Sequence, residues 1–442
     1  MNKTQQRLEN LAAFVVSEAR RFGATDCEVS VNEYESVEVG VRLGEVEELN
    51  GAQGRGLRFR ALVGQKSAST TTSDLTRASV SRMVKKTVEL ARESEPDEFA
   101  GLPEAHLFAK SLPALDLFDA SLNKVDVNTK IDLAKKAEAA ARGADPRIVN
   151  SNGGGFSDSR GLVVFANSRG FVGSYAATSC SLNAGVLASE NDGPMQSGGW
   201  SSSSRTFAGL DTPEAIGAEA ARRALRHLGA RKVKTQEVPV VFDPIMAARL
   251  MAQFVGAMSG THVYRRSSFL AGKVGEIVAA KDVVIVDDPT MVGALGSRPF
   301  DSEGLPVSRR LLVEDGKMMM YLIDSYAGRK LGMTPNSDSV GNLHIQAGKH
   351  SPEEIIGSIK NGLYLTAVSG PGFNSVTGDY SMGATGIWIE NGELAFPVEK
   401  ITVASNIMDM MKNVEMVGSD LVFRSSAVSP TLKISKMMVS GK

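Results

Sequence analysis

The chain has 442 residues, of which 42% are hydrophobic and 22% are charged. This length and apolar content predict two domains with sizeable cores. Lys and Arg number 49 against 50 Asp and Glu, for a net charge of -1. We therefore expect no basic surface for phosphates and no nucleic-acid partner.

Only two cysteines occur, Cys27 and Cys180, and they lie far apart in the sequence. This usage is typical of buried thiols in a reducing compartment. No apolar run reaches the length of a membrane span, and the first residues lead into an amphipathic helix without the apolar core of a secretory signal. We therefore expect a cytoplasmic protein without a membrane segment.

The first half is predicted to contain antiparallel strands with helices. Ser73 or Asp74 is expected to cap the second helix, and Asp211 the last helix of this half. Pro213 follows in the first turn of that last helix, where its missing N–H has no partner to lose. The predicted helices are a first one through residues 8–19 that ends near Gly23, and others over 74–94, 129–143 and 212–229. The predicted strands cover 28–32, 37–43, 57–63 and several stretches within 149–207.

A charged run over 230–237 separates the two halves and predicts domains at 1–230 and 235–442. The second domain is predicted to be strand-rich and partly covered by helices, which makes the whole chain α+β. Its strongest local signals are turns and caps. They are the helix start at Asp243-Pro244, the hairpin turns Asp315-Gly316 and Asn391-Gly392, the capping box Ser351 with Glu354, the helix cap Ser405, and strands at 238–242 and 432–439.

The helix that follows Pro244 is apolar nearly all round, so we expect it to be buried. Buried helices of this kind can carry two His ligands of a zinc ion and a Glu between them as general base. No His, Glu, Asp or Cys occurs within 245–258. A packing helix is therefore the better interpretation.

The remaining polar motifs favour structural roles. His262 stands alone, and Cys180 lies within a strand rather than at a helix N-terminus, where a thiolate is stabilised. The pairs Asp287-Asp288 and Asp301-Ser302-Glu303 each stand at a strand end beside Pro or Gly, which favours turns over a hard-metal site. The run Gly153-Gly154-Gly155 precedes a strand, not a helix, so a phosphate loop is not indicated.

A glycine-rich segment over 369–386 lies between two predicted strands. Its small residues allow another backbone to approach closely, which suits a peptide bound by strand addition. A bulged, tightly packed hairpin explains the same composition equally well. The candidate peptide-binding residues are Gly370, Gly372, Phe373, Asn374, Gly378 and Asp379.

An ordered series of motifs in the second half resembles the TldD/PmbA family, and within it the PmbA (TldE) branch. The motifs span residues 238–439 and are weaker in the first half. They include Val274-Gly275-Glu276, Val286-Asp287-Asp288-Pro289, Phe300-Asp301-Ser302-Glu303-Gly304, Tyr326-Ala327-Gly328-Arg329-Lys330-Leu331-Gly332, Thr377-Gly378-Asp379-Tyr380-Ser381 and Ser429-Pro430-Thr431-Leu432.

The resemblance implies a two-subunit, zinc-dependent peptidase that cleaves unfolded or flexible peptides. In the TldD-type subunit, a His-Glu-x-x-x-His motif lies on the helix that opens the second domain, and a Cys near the C-terminus is a further zinc ligand. The motif's positions fall on Met251, Ala252 and Gly256, and the Cys-bearing insertion before Ser429 is missing. These vacant positions imply a subunit with no cofactor of its own, whose TldD-type partner carries the zinc.

The resemblance thus implies a non-catalytic subunit that completes an enclosed cleft as a heterodimer. Without that partner the chain is expected to pair with itself, because closed two-fold dimers are the common form of oligomer. One alternative is a stand-alone peptide-binding or scaffold homodimer without a peptidase role. Another is an enzyme that holds a metal between Asp301, Glu303 and His262.

Overall fold

The computed structural model describes residues 2–190 and 193–441. The helices are α1 Asn2–Arg21, α2 Arg77–Glu93, α3 Val127–Gly143, α4 Pro213–Leu225, α5 Pro244–Gly256, α6 Gly260–Tyr264, α7 Ser325–Leu331, α8 Pro352–Gly357 and α9 Ile407–Lys412. The strands of the first half are β1 Asp26–Arg42, β2 Glu45–Val63, β3 Lys66–Thr72, β4 Ile148–Asn167, β5 Val172–Ala188 and β6 Gln196–Ser204. Those of the second half are β7 Gln236–Phe242, β8 Ile285–Asp287, β9 Arg310–Glu314, β10 Lys317–Met318, β11 Leu343–Ile345, β12 Asn361–Ser369, β13 Asp379–Glu390, β14 Glu393–Asn406, β15 Val414–Val417, β16 Ala427–Val428 and β17 Leu432–Ser440.

The first half forms one antiparallel sheet of six strands, in the order β3-β2-β1-β4-β5-β6. Two predicted strands, 28–32 and 37–43, are one strand, β1. Side chains alternate between the two faces along it, so Val29, Val31, Val39 and Val41 all lie on the same face. That face carries the helices: α1 and α2 pack over the first pair of valines, and α3 and α4 over the second.

The tip of the long β1–β2 hairpin is fastened to α3 by one buried carboxylate. Leu43 and Gly44 form the turn with φ of 52° and 83°. Their backbone N–H groups donate to the carboxylate of Glu138 at 2.7 and 2.9 Å. Glu138 is 1% exposed, and the two bonds satisfy a charge that would otherwise be costly to bury.

The second half combines a closed barrel with a smaller sheet. Strands β14-β13-β12-β7-β17 form the barrel, which closes because β14 also pairs with β17, and β15 adds to β17 outside the ring. The smaller sheet has the order β10-β9-β8-β11-β16. A single core cluster joins α5 to both, which confirms the α+β class and the burial predicted for the helix after Pro244.

Several predicted turns and caps are confirmed. Asp243 caps α5, with its carboxylate accepting from Met246 N at 2.9 Å. The Ser351–Glu354 capping box is complete. Asp315-Gly316 and Asn391-Gly392 join antiparallel strands, all with positive φ as type I′ turns require.

Three predicted caps are wrong. Thr212, not Asp211, caps α4, because Pro213 occupies the first helical position and the preceding residue becomes the cap. Asn406, not Ser405, caps α9, since β14 continues through Asn406. Thr76 precedes α2 without a side-chain bond, and Asp74 closes a turn by accepting from Thr76 N instead. Among the described residues, no helix is both long enough and apolar enough to cross a membrane.

Candidate functional site

Helix α5 is set in place by a buried polar junction at its first turn. Asp243 is 2% exposed, and burial raises the pKa of its carboxyl. The guanidinium of Arg226, just beyond the end of α4, lies 3.9 Å from this carboxylate. The start of α5 is thereby tied to the last helix of the first half.

The three positions that the resemblance assigns to the zinc motif carry no metal donor. Met251 is fully buried in the apolar core. Ala252 and Gly256 are exposed, and a Cβ added at Gly256 would meet no atom within 4 Å. Zinc needs thiolate, imidazole or carboxylate ligands, so these residues do not fit the ion. Both cysteines lie in the first sheet, away from this helix.

Residues 370–378 of the glycine-rich segment form the loop between β12 and β13, and residues 379–386 belong to β13 itself. Gly372 lies so close to β13 that an added Cβ would stand 1.6 Å from the Ser381 carbonyl oxygen. Gly378 has a φ of +80° and packs against Asn406. The hairpin interpretation is therefore correct in geometry. It does not exclude a bound peptide, because residues 374–377 between these glycines are exposed.

The loop's own polar groups hold its shape. The side-chain oxygen of Asn374 accepts from Val376 N at 2.9 Å. The carboxylate of Asp379 accepts from the Thr377 hydroxyl at 2.7 Å. Phe373 is half-buried against the barrel core. The exposed part of the loop is thus held in one conformation by hydrogen bonds within the loop.

Helix α5 and this loop are neighbours, which the sequence did not predict. Arg249 on the exposed side of α5 donates to the Val368 carbonyl at the end of β12, at 3.3 Å. Phe269 joins the two from the other side: its ring lies 6.1 Å from that of Phe254 on α5 and also borders Gly378. We call Arg249, Ala252, Gly256 and the exposed residues 374–377 the α5–loop surface.

The alternative metal site is not assembled in the part of the chain that the structure describes. Asp301 accepts from the backbone N–H groups of Glu303 and Leu305, as predicted for a turn. Glu303 accepts from Ser325 N at the start of α7. His262 is exposed and contacts Ser267.

Cys180 does not have the environment of a nucleophile. Its thiol is buried, and its one S–H lies within hydrogen-bonding distance of two acceptors, the carbonyl oxygens of Thr206 at 3.4 Å and Ser204 at 3.6 Å. Burial raises its pKa to about 12. A thiol with this pKa is almost entirely protonated at neutral pH.

A second concave region lies between the helix-free face of the first sheet and the second half. This sheet-face cleft has a volume of about 730 Å³, and its linings include Glu28, Arg58 and Arg60 on the sheet and Phe300, Glu303 and Tyr326 opposite. Burial raises the pKa of Glu303 to about 7, and repulsion from Asp301 adds to the effect. The hydrogen bond from the Ser325 N–H lowers the pKa of Glu303, but by less than burial raises it.

The substitution Glu303→Gln should change how stability depends on pH. The folded protein holds this proton more tightly than the unfolded chain, whose carboxyl titrates near 4.5. Wild-type stability should therefore fall relative to the variant as pH rises from about 4.5 to about 7, by about 3 kcal/mol. Urea unfolding at several pH values measures this. If the free energy of unfolding changed with pH in the same way for wild type and variant, the prediction would be wrong. Glu393→Gln, on the surface, is the control for the loss of a charge.

Family models match three stretches of the chain: PmbA/TldA metallopeptidase domain 1 at residues 27–91, the central domain at 120–228 and the C-terminal domain at 235–441. Metalloprotease PmbA of Escherichia coli is 36% identical over 417 residues, covering 94% of this chain and 92% of that protein. The chain belongs to the PmbA/TldD metallopeptidase family. A PmbA homologue of Haemophilus influenzae is 35% identical over 441 residues, covering 99% of this chain and 97% of the homologue.

Solved structures of similar proteins share the whole fold. A proposed modulator of DNA gyrase from Bacteroides thetaiotaomicron is 28% identical and superimposes with a TM-score of 0.94 over 98% of both chains. TldE of Thermococcus kodakarensis, at 21% identity, has a TM-score of 0.85 over 98% of this chain and 100% of its own, which shows likeness of fold alone. In sequence alone, a TldD homologue of Buchnera aphidicola is 25% identical over 316 residues, which cover 66% of this chain and 65% of the homologue.

Proposed function

We propose that this chain is the non-catalytic subunit of a zinc metallopeptidase of the PmbA/TldD family, acting in the cytoplasm with a TldD-type partner that holds the zinc. The observation that carries the proposal is the composition of α5. At the positions of the zinc motif it has a buried thioether, a methyl group and no side chain at all. A helix with these groups can contribute a packing surface to a complex, but it provides no zinc ligand and no general base.

The proposed role of the chain is to complete an enclosed cleft around flexible peptides. The α5–loop surface supports this role, because it joins the exposed side of that helix to an exposed, well-defined loop. Strand addition would let main-chain hydrogen bonds hold peptides of varied sequence. The candidate peptide-binding residues divide by exposure. Gly370, Asn374 and Asp379 are exposed and would contact the peptide, whereas Gly372 and Phe373 are half-buried and Gly378 is buried, so that these three would shape the loop.

The division into domains at 1–230 and 235–442 is kept as part of the proposal. Strands β1 to β6 pair only with one another among the described residues, and so do β7 to β17. Contacts such as that between Arg226 and Asp243 would then fix how the two domains sit against each other.

The experiment measures zinc content and cleavage of an unstructured peptide by the purified chain, alone and with a His-Glu-x-x-x-His partner. We expect no stoichiometric zinc and no cleavage by the chain alone. We expect cleavage by the pair to exceed that of the partner alone. Zinc and activity in the lone chain would overturn the proposal. Failure to bind any such partner would favour the scaffold homodimer.

A further inference from the structure

The segments that build the α5–loop surface carry positive charge and no negative charge. Residues 244–272, which include α5 and α6, contain Arg249, Arg265 and Arg266 but no Asp, Glu or Lys. Residues 370–378, the loop between β12 and β13, contain no charged residue at all. In the whole chain, by contrast, 50 of 442 residues are acidic and the net charge is -1. The surface is therefore basic in a chain that as a whole is not.

The three arginines are exposed, and the chain does not neutralise them. Among the described residues, no ion pair that includes a residue of the second half involves Arg249, Arg265 or Arg266. The carboxylate of Asp379, at the end of the loop, accepts from the Thr377 hydroxyl instead. An exposed guanidinium without a counter-charge offers a fork of N–H donors that matches an incoming carboxylate.

The arginines stand at the two ends of an exposed stripe on α5. Arg249, Ala252 and Gly256 are three and four residues apart, so they share one face of the helix. Arg249 and Gly256 are about 10 Å apart along the axis, a distance that an extended peptide spans with about three residues. Helix α6 follows beyond Gly256, and Arg265 and Arg266 come directly after it. A peptide that lies along the stripe would thus meet an arginine at each end.

Contacts that follow Arg266 keep the second end beside the loop. The Ser268 hydroxyl donates to the carbonyl of Ala257 at 2.5 Å, which returns the chain to the C-terminal end of α5. Phe269, the next residue, borders Gly378 in the loop. The positive charge at this end is therefore fixed where α5 adjoins the loop.

We propose that the α5–loop surface selects acidic peptides, namely unfolded segments that carry two or more Asp or Glu side chains a few residues apart. This inference rests on the proposed function, because it takes the α5–loop surface as the part of the chain that faces the peptide. Peptide carboxylates would pair with the guanidinium groups, while strand addition leaves the uncharged positions of the peptide unrestricted. Each exposed pair contributes little, so the preference should grow with the number of acidic residues and weaken in salt.

The test uses three labelled peptides of one unstructured Gly/Ser sequence, with Glu, Gln or Lys at the same positions. Fluorescence anisotropy measures their Kd for the purified chain alone, and steady-state kinetics measure kcat/KM for the chain with its partner. The Glu peptide should bind about fivefold or more tightly than the Gln peptide, and the Lys peptide should bind most weakly. The differences should shrink at high salt, because screening weakens exposed charge pairs.

Charge-reversal variants locate the effect. Arg249→Glu, and the double variant Arg265→Glu with Arg266→Glu, should each weaken binding of the Glu peptide about fivefold or more and strengthen binding of the Lys peptide. Arg82→Glu is the matched control. Arg82 is exposed on α2 of the first half and donates to Ser79, so its reversal changes the net charge equally but should leave every Kd unchanged. Unchanged thermal unfolding shows that each variant is folded.

Equal binding of the three peptides, or an equal response to Arg249→Glu and Arg82→Glu, would overturn the inference. Loss of peptide binding when the partner is added would assign the arginines to the interface between the two chains, and displacement of the Glu peptide by a lower concentration of oligothymidylate would assign them to nucleic acid. Either result would also overturn it. Cleavage by the pair without a charge preference would refute this inference and keep the proposed function, whereas selective binding of the Glu peptide without cleavage would do the reverse.

Discussion

Replacing Val376 with Trp is expected to lower kcat/KM for partner-dependent peptide cleavage about tenfold or more. Val376 is 48% exposed at the tip of the loop between β12 and β13. Its backbone is held by Asn374, so a larger side chain projects outward without disturbing the loop. If the α5–loop surface faces the peptide, the indole occupies space that the peptide needs. Steady-state kinetics of the reconstituted pair measure the change.

The control is Leu394→Trp. Leu394 is 43% exposed, but it follows the Asn391-Gly392 turn, at the opposite end of β13. The Leu394→Trp variant should therefore cleave the peptide as fast as the wild type. Both variants should assemble with the partner as the wild type does. Equal cleavage by the two variants would remove the loop from the proposed peptide path.

Removing the carboxylate of Asp287 is expected to destabilise the second half strongly. Asp287 is fully buried, and its carboxylate binds the guanidinium of Arg310 and accepts from Gly341 N at 2.6 Å. Asp287→Ala leaves a buried guanidinium without its counter-charge, so we expect a loss of about 3 to 5 kcal/mol. The midpoint of urea unfolding measures this.

An exposed ion pair provides the control. Lys273 and Glu276 lie 2.8 Å apart on the surface, and Glu276→Ala should lower stability by less than about 1 kcal/mol. A similar small loss for Asp287→Ala would mean that the second half tolerates a buried, unpaired arginine. It would contradict the packing described for β8 and β9.

Features of the fold that depend on neighbouring residues were predictable from the sequence. The Asp243 cap, the Ser351 capping box and the Asn391-Gly392 turn each involve groups no more than three residues apart, so a local pattern specifies them. Cap predictions failed by one residue at Asp211 and Ser405. There the side chain is suitable, but Pro213 and the continuation of β14 decide which residue comes last before the helix.

The candidate site depends on contacts between distant parts of the chain, and these were not predictable. The absence of donors at Met251 and Gly256 can be read directly in the sequence. The bond from Arg249 to Val368 joins residues 119 positions apart, and no periodicity encodes it. The sheet-face cleft likewise needs the relative placement of two sheets.

The closed barrel has a consequence for the order in which the protein can be made. Its ring is completed by β17, the last of the described strands to be synthesised, which pairs with β7 and β14 on its two sides. The first sheet uses only residues 26–204 and can form while synthesis continues. The barrel cannot close before then, because β7 stays unpaired on one side until β17 has been synthesised. A nascent chain that has passed β14 but not β17 therefore carries a finished sheet and an open half-barrel, and a chain that stops between these strands keeps the exposed edge of β7.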